Sequence, residues 1–98
     1  LTAAVHYSED AESDLDGVAQ YTSLRWSEEQ AERYLTKLRD ACRMLANSPG
    51  LGRKFSRIRP DMRRFEVGRH VVFFRVLEDG IFVFRILHQR MLPEKYLN

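Results

Sequence analysis

The spacing of apolar positions changes midway along the chain. Residues 3–7, Ala-Ala-Val-His-Tyr, read as a short strand. Ser8 suits a helix N-cap, since its hydroxyl can accept from an orphan backbone N–H. Glu9, Asp10 and Glu12 follow where the helix dipole favours anions. Ala11, Leu15, Val18, Ala19 and Tyr21 keep helical spacing and predict a wet opposite face carrying Asp10, Asp14 and Asp16. This helix should end near Arg25-Trp26. Ser27-Glu28-Glu29-Gln30 then forms a capping-box pattern that starts a second helix. Its apolar stripe is Ala31, Tyr34, Leu35, Leu38, Ala41, Cys42 and Leu45, and Asn47-Ser48-Pro49-Gly50 stops it. So short a link predicts an antiparallel helical hairpin.

The second half reads as strands. Residues 51–60 are irregular, and 62–67 form a strand broken by Gly68. Residues 70–77 and 81–87 are β-branched and aromatic, with a turn signal at Glu78-Asp79-Gly80. A two-residue turn at Asp79-Gly80 would set Arg75 opposite Phe84, and a three-residue turn would set it opposite Val83. Residues 88–98 form a short tail. The order is β-α-α-β-β-β: an α+β fold, with a short N-terminal strand and a helical hairpin packed on a small antiparallel sheet. The last two strands are apolar in both registers, whereas a sheet with one wet face alternates. The helices can cover one face. A partner chain, a homodimer or the chain's own tail must cover the other, and exposed apolar area of this size favours a partner over the tail and the 50–61 loop.

Composition narrows the classes. Ninety-eight residues, 44% hydrophobic and 31% charged, make one globular domain spanning 1–98. No apolar run approaches a membrane span, and Leu1 to Val5 shows no signal-peptide pattern. Cys42 is the only cysteine, sits in a helical stripe and reads as a buried structural thiol, which suits the cytoplasm. Residues 1–48 carry five basic and nine acidic side chains, whereas 49–98 carry eleven basic and five acidic. Positive charge is densest from Arg53 to Arg75, which suits an acidic protein or a nucleic acid as partner.

Little points to catalysis. The glycines form no nucleotide-binding pattern, the three histidines have no metal-ligand spacing, and no cofactor or metal is expected. Metal-free RNA cleavage would need an acid, a base and cations. His88 with Arg63, Arg69, Arg75, Arg85 and Arg90 could supply them, but arginines on a sheet more often bind than catalyse.

Several stretches resemble one family in order: Tyr7-Ser8-Glu9-Asp10-Ala11-Glu12-Ser13-Asp14-Leu15, Glu29-Gln30-Ala31-Glu32-Arg33-Tyr34, residues 45–52, residues 62–75, and Ile86-Leu87-His88-Gln89-Arg90-Met91. They are similar to ParE-type toxins of the ParE/RelE superfamily. The resemblance implies a type II toxin held by a ParD-like antitoxin in a hetero-oligomer. It also implies growth arrest through DNA gyrase, with plasmid stabilisation as a setting and ribosome-dependent mRNA cleavage of RelE type as the alternative. RelE-like nucleases generally carry lysine on the sheet, but this chain has none between Lys54 and Lys95. The expected target contacts are Arg63, Arg64, Arg69, Arg85, His88, Arg90 and Tyr96, without sequence-specific nucleic-acid binding. The expected antitoxin groove, between hairpin and sheet, is lined by Leu15, Val18, Leu38, Phe65, Phe74 and Phe84. A third reading is a module that serves only complex assembly.

Overall fold

The structure is a computed structural model that describes residues 3–97. Leu1, Thr2 and Asn98, which belong to the expected leaderless start and to the expected tail and 1–98 domain, lie outside the described residues. Strand β1 (Ala4–Tyr7) leads into helix α1 (Glu9–Arg25) and helix α2 (Glu28–Asn47), and a 3-10 turn follows at Pro49–Leu51. Strands β2 (Arg53–Lys54), β3 (Arg63–Val67), β4 (His70–Leu77) and β5 (Gly80–His88) come next, then a short helix α3 (Pro93–Tyr96). Both helix starts form as the sequence suggests. Ser8 Oγ accepts from Ala11 N–H at 2.9 Å, and Ser27 Oγ accepts from Gln30 N–H at 3.1 Å.

The α+β layout is the expected one, with two additions. The sheet has five strands in the order β1-β5-β4-β3-β2. Strand β1 joins β5 in parallel, so the sheet is mixed. The segment read as irregular contributes β2, paired antiparallel to β3.

The β4–β5 turn matches neither expected register. Its two turn residues are Glu78 and Asp79, and Arg75 stands opposite Phe82. Gly80 is drawn into β5, where Ala4 of β1 lies directly beside it. A bulge follows: Phe74 pairs with Val83 and Phe73 with Arg85, leaving Phe84 as the extra residue.

The apolar sheet is covered twice. On one side α1 and α2 lay Leu15, Val18, Leu38, Cys42 and Leu45 against Val72, Phe74, Ile81, Val83 and Ile86. On the other side, Phe55 and Met62 from the β2–β3 segment and Leu97 from the tail bury Val71, Phe73 and Leu87. The chain's own loop and tail therefore do the work expected of a partner. A segment of only a few residues suffices because each contributes one large apolar side chain to the strand pair, and each such burial stabilises by about 1.5–3 kcal/mol.

The chain-end strand depends on Gly80. A Cβ there would be driven into the Ala4 backbone, and its φ of +157° is one side chains avoid. Gly80→Ala should therefore cost at least about 2 kcal/mol of stability, read as a lower urea midpoint.

Candidate functional site

The expected groove between hairpin and sheet does not exist. Leu15, Val18, Leu38 and Phe74 are buried core side chains, and Phe65 packs half-buried against the same cluster. Phe84 belongs to the opposite face, against the second cluster. The error has a plain physical source. Residues that sit well against a docked helix also sit well against the chain's own hairpin, and a two-residue link brings that hairpin onto the sheet first.

The face away from the helices carries the charge. Arg57 lies over the Phe55 ring at 4.7 Å, and Arg64 over Phe55 and Phe73 at 5.3 and 5.6 Å. Arg59 lies over Phe84 at 5.0 Å, and Arg75 over Phe82 at 5.7 Å. The Phe82 and Phe84 rings meet edge to face at 5.2 Å. Guanidinium groups prefer such ring faces, where the π charge is negative. Arg64 is pulled in deepest. Its Nε is buried without a hydrogen-bond partner, and Glu66 stands 4.0 Å from its outer nitrogen. Arg57 and Arg59 were not among the expected contacts, and Arg75 only among the cations of the nuclease alternative; their placement over Phe rings is not visible in the sequence.

Two expected site arginines are committed to the fold. Arg63 donates to the Gly52 carbonyl at 2.7 Å, beside β2. Arg85 donates twice to Asp14, at 2.9 and 2.8 Å, and once to the Tyr96 carbonyl at 3.1 Å. Its guanidinium also lies over the Tyr96 ring at 5.6 Å. Asp14 additionally accepts from Ile86 N–H at 2.9 Å, so it is not on the wet face expected for it. Its hydrogen bonds, then its charge against the cost of burial, hold the Arg85 guanidinium above its ordinary pKa. Both guanidinium groups are thus engaged within the chain, at two different places in the fold.

Three other expected residues, Arg69, His88 and Arg90, lie where the β3–β4 turn meets the end of β5, whereas Tyr96 lies against Arg85. His88 stands opposite His70, with ring centroids 5.4 Å apart and planes at 82°. Arg69 and Arg90 are exposed. Tyr34 of α2 reaches this corner and bonds His70 Nδ1 at 2.7 Å. Gly68, with φ +57°, lets the turn pass under the Tyr34 ring. Burial first, then neighbouring His88, pushes the His70 pKa down to about 4. Burial likewise pushes up the Cys42 thiol, which fits a structural role. No group of three or more His, Cys, Asp or Glu among the described residues could hold a metal ion.

This architecture is found among toxins of toxin–antitoxin pairs. It superposes on a chain of a chromosomal ParDE system from P. aeruginosa with a TM-score of 0.75 at 20% identity, covering 89% of this chain and 96% of that one. It also matches the RelBE2 complex from Mycobacterium tuberculosis, with a TM-score of 0.68 at 15% identity over 90% and 99% of the two chains. In sequence, Toxin ParE1 of M. tuberculosis is 41% identical over 88 residues, covering 89% of this chain and 90% of that toxin. Toxin ParE of Escherichia coli is 36% identical over 93 residues, covering 93% and 88%. The family model for the ParE toxin of the type II toxin–antitoxin system parDE matches residues 5–93. The chain belongs to that ParE toxin family.

Two measurements test the site's internal bonds. Asp14→Ala strands a half-buried guanidinium and an edge N–H, and should lower stability by about 2–3 kcal/mol in chemical denaturation. His70 has a folded pKa near 4 against an ordinary 6.5. The unfolded chain therefore takes up this proton first, so the stabilising effect is full above pH 6.5 and fades as pH falls toward 4. Allowing for partial solvent screening, unfolding midpoints should report a loss of about 1–2 kcal/mol across that window. His70→Gln should flatten it.

Proposed function

We propose that this ParE toxin arrests growth by binding DNA gyrase rather than by catalysing a reaction, and that a ParD-like antitoxin neutralises it by occupying the same surface. The observation that carries this reading is the set of arginines laid over phenylalanine rings on the sheet face opposite the helices. Flat cations on apolar rings suit a partner that is acidic and apolar at once, whether a protein surface or the phosphates of an enzyme–DNA complex. The membership in the ParE family supports it, as does the fold shared with a ParDE chain.

A catalytic reading has less support. Of the cations a metal-free nuclease would use, Arg63 and Arg85 are already held by Gly52 and Asp14. The antitoxin segment on this face should be acidic with apolar anchors, and the complex should form in the cytoplasm as a hetero-oligomer. The antitoxin does not enter between hairpin and sheet, because that space is core.

Purified toxin added to a gyrase supercoiling reaction should block supercoiling and leave trapped DNA breaks, and its antitoxin should restore the reaction. Arg59→Glu with Arg75→Glu should weaken both antitoxin binding and inhibition by about tenfold or more. Undisturbed supercoiling by folded toxin would sink the target assignment. Transcripts cut at codon positions after induction, seen by primer extension, would transfer the activity to the nuclease class.

A further inference from the structure

The corner at His70 and His88 has a property that neither family membership nor the arginine face accounts for. Each histidine has its Nδ1 already bonded. The backbone N–H of Arg90 donates to His88 Nδ1 at 3.1 Å. A backbone N–H can only donate, so that nitrogen is bare and the neutral ring carries its proton on Nε2. His70 follows by one further step. The Arg69 N–H donates to the Tyr34 hydroxyl at 3.1 Å, whose single proton has two acceptors in reach. Its nearer acceptor is His70 Nδ1 at 2.7 Å, against the Val67 carbonyl at 3.4 Å. Donation along this shorter contact makes His70 an Nε2–H tautomer as well, and burial keeps its ring neutral at pH 7.

Both Nε2–H groups lack a protein acceptor among the described residues, and neither is sealed from solvent. Their surroundings are one-sided. Arg69 and Arg90, which adjoin them along the chain, are exposed, and no acidic side chain among the described residues engages either guanidinium. The one acidic group whose charge reaches His70 is Asp14, and its oxygens are already taken by Arg85 and the Ile86 N–H. The corner thus offers two ring N–H donors and two cations, with no free acceptor. A metal ion would need bare Nε2 atoms, which the bonds at Nδ1 deny it.

We propose that this corner is an oxyanion site of the phosphate class, in which the Nε2–H groups of His70 and His88 bind the oxygens and Arg69 and Arg90 supply the charge. The ligand is a phosphodiester of a nucleic-acid strand or free phosphate. The site deepens the target reading, and rests on it only for where such a phosphate would come from. Tyr34 is a positioning residue: it fixes the tautomer of His70 and does not touch the anion.

The test is a titration of the full chain followed by NMR, with no topoisomerase present, so loss of gyrase inhibition and loss of the anion site are separately visible. Inorganic phosphate and a short single-stranded oligodeoxynucleotide are the two probes, each against chloride at matched ionic strength. Saturable shifts are expected at the amides of residues 69, 70, 88 and 90 and at both imidazole Nε2–H signals. Saturation by phosphate alone or by the oligonucleotide alone supports the site and names its source. His70→Leu with His88→Leu should weaken binding by about tenfold, and His88→Gln, which keeps an N–H near Nε2, should recover part of it. If the double Leu variant does not fold, Arg69→Ala with Arg90→Ala on the exposed rim should give a comparable loss in a folded chain. The proposal is overturned by absence of saturable shifts with both probes, by unchanged affinity in folded variants, or by an Nδ1–H signal on either ring at neutral pH.

Discussion

Strands β4 and β5 are apolar on both sides, and one short chain has to keep water from each. That requirement assigns the other elements. The two helices take one side, because a hairpin of long amphipathic helices is the only part of the sequence large enough to cover it. What remains is a loop that gives Phe55 and Met62 and a tail that gives Leu97. They reach across Val71, Phe73 and Leu87 to the side of Phe84 but stop short of Phe82, and both of these rings stay half-buried. Guanidinium groups lie over these outer rings instead. They shield an aromatic face from water while keeping their charge in it, so an incompletely covered core becomes a charged surface. The binding face and the burial problem are the same piece of structure.

The edge of β5 shows a similar economy. Strand β1 pairs with it only from Gly80 to Val83. Beyond that, the Ser8 hydroxyl donates to the Phe84 carbonyl at 2.6 Å and Asp14 accepts from Ile86 N–H. The first turns of α1 thus take the part of a missing strand, and they leave few free groups on which a foreign strand could add. Asp14 also anchors Arg85, which holds the tail through Tyr96. One carboxylate therefore ties the helical side of the sheet to the tail side. This explains why a residue placed by periodicity among wet aspartates is half-buried: helical spacing reports the angle around the helix, not that the edge of β5 brings the Ile86 N–H and Arg85 to that position.

Most of the fold was legible because its signals are local. Ser8 and Ser27 mark the helix starts, Pro49 and Gly50 the stop, and the β-branched runs the strands. Parallel pairing of β1 with β5 carries no local signal, and neither does the bulge at Phe84. The site suffered more. Leu15, Val18, Leu38 and Phe74 were correctly recognised as residues that want burial, but composition does not say whether the chain or a partner provides it. Arg63 and Arg85 looked like free cations because their acceptors, Gly52 and Asp14, lie far away in sequence. His88 and Arg90 were singled out, whereas His70 and Tyr34 were not. The register places His70 opposite His88, and Tyr34 could be recognised only as part of an apolar stripe.

The contact between Ser8 and Phe84 spans 76 residues of sequence. The helical hairpin and the β3–β4–β5 meander can each form from neighbouring segments, but β1 has no neighbour to pair with until β5 is in place. Closing so long a loop is the slow kind of step in assembling a small domain. The N-terminal segment therefore docks late, onto a sheet that already exists, and the molecule acquires its full edge protection only at the end of folding.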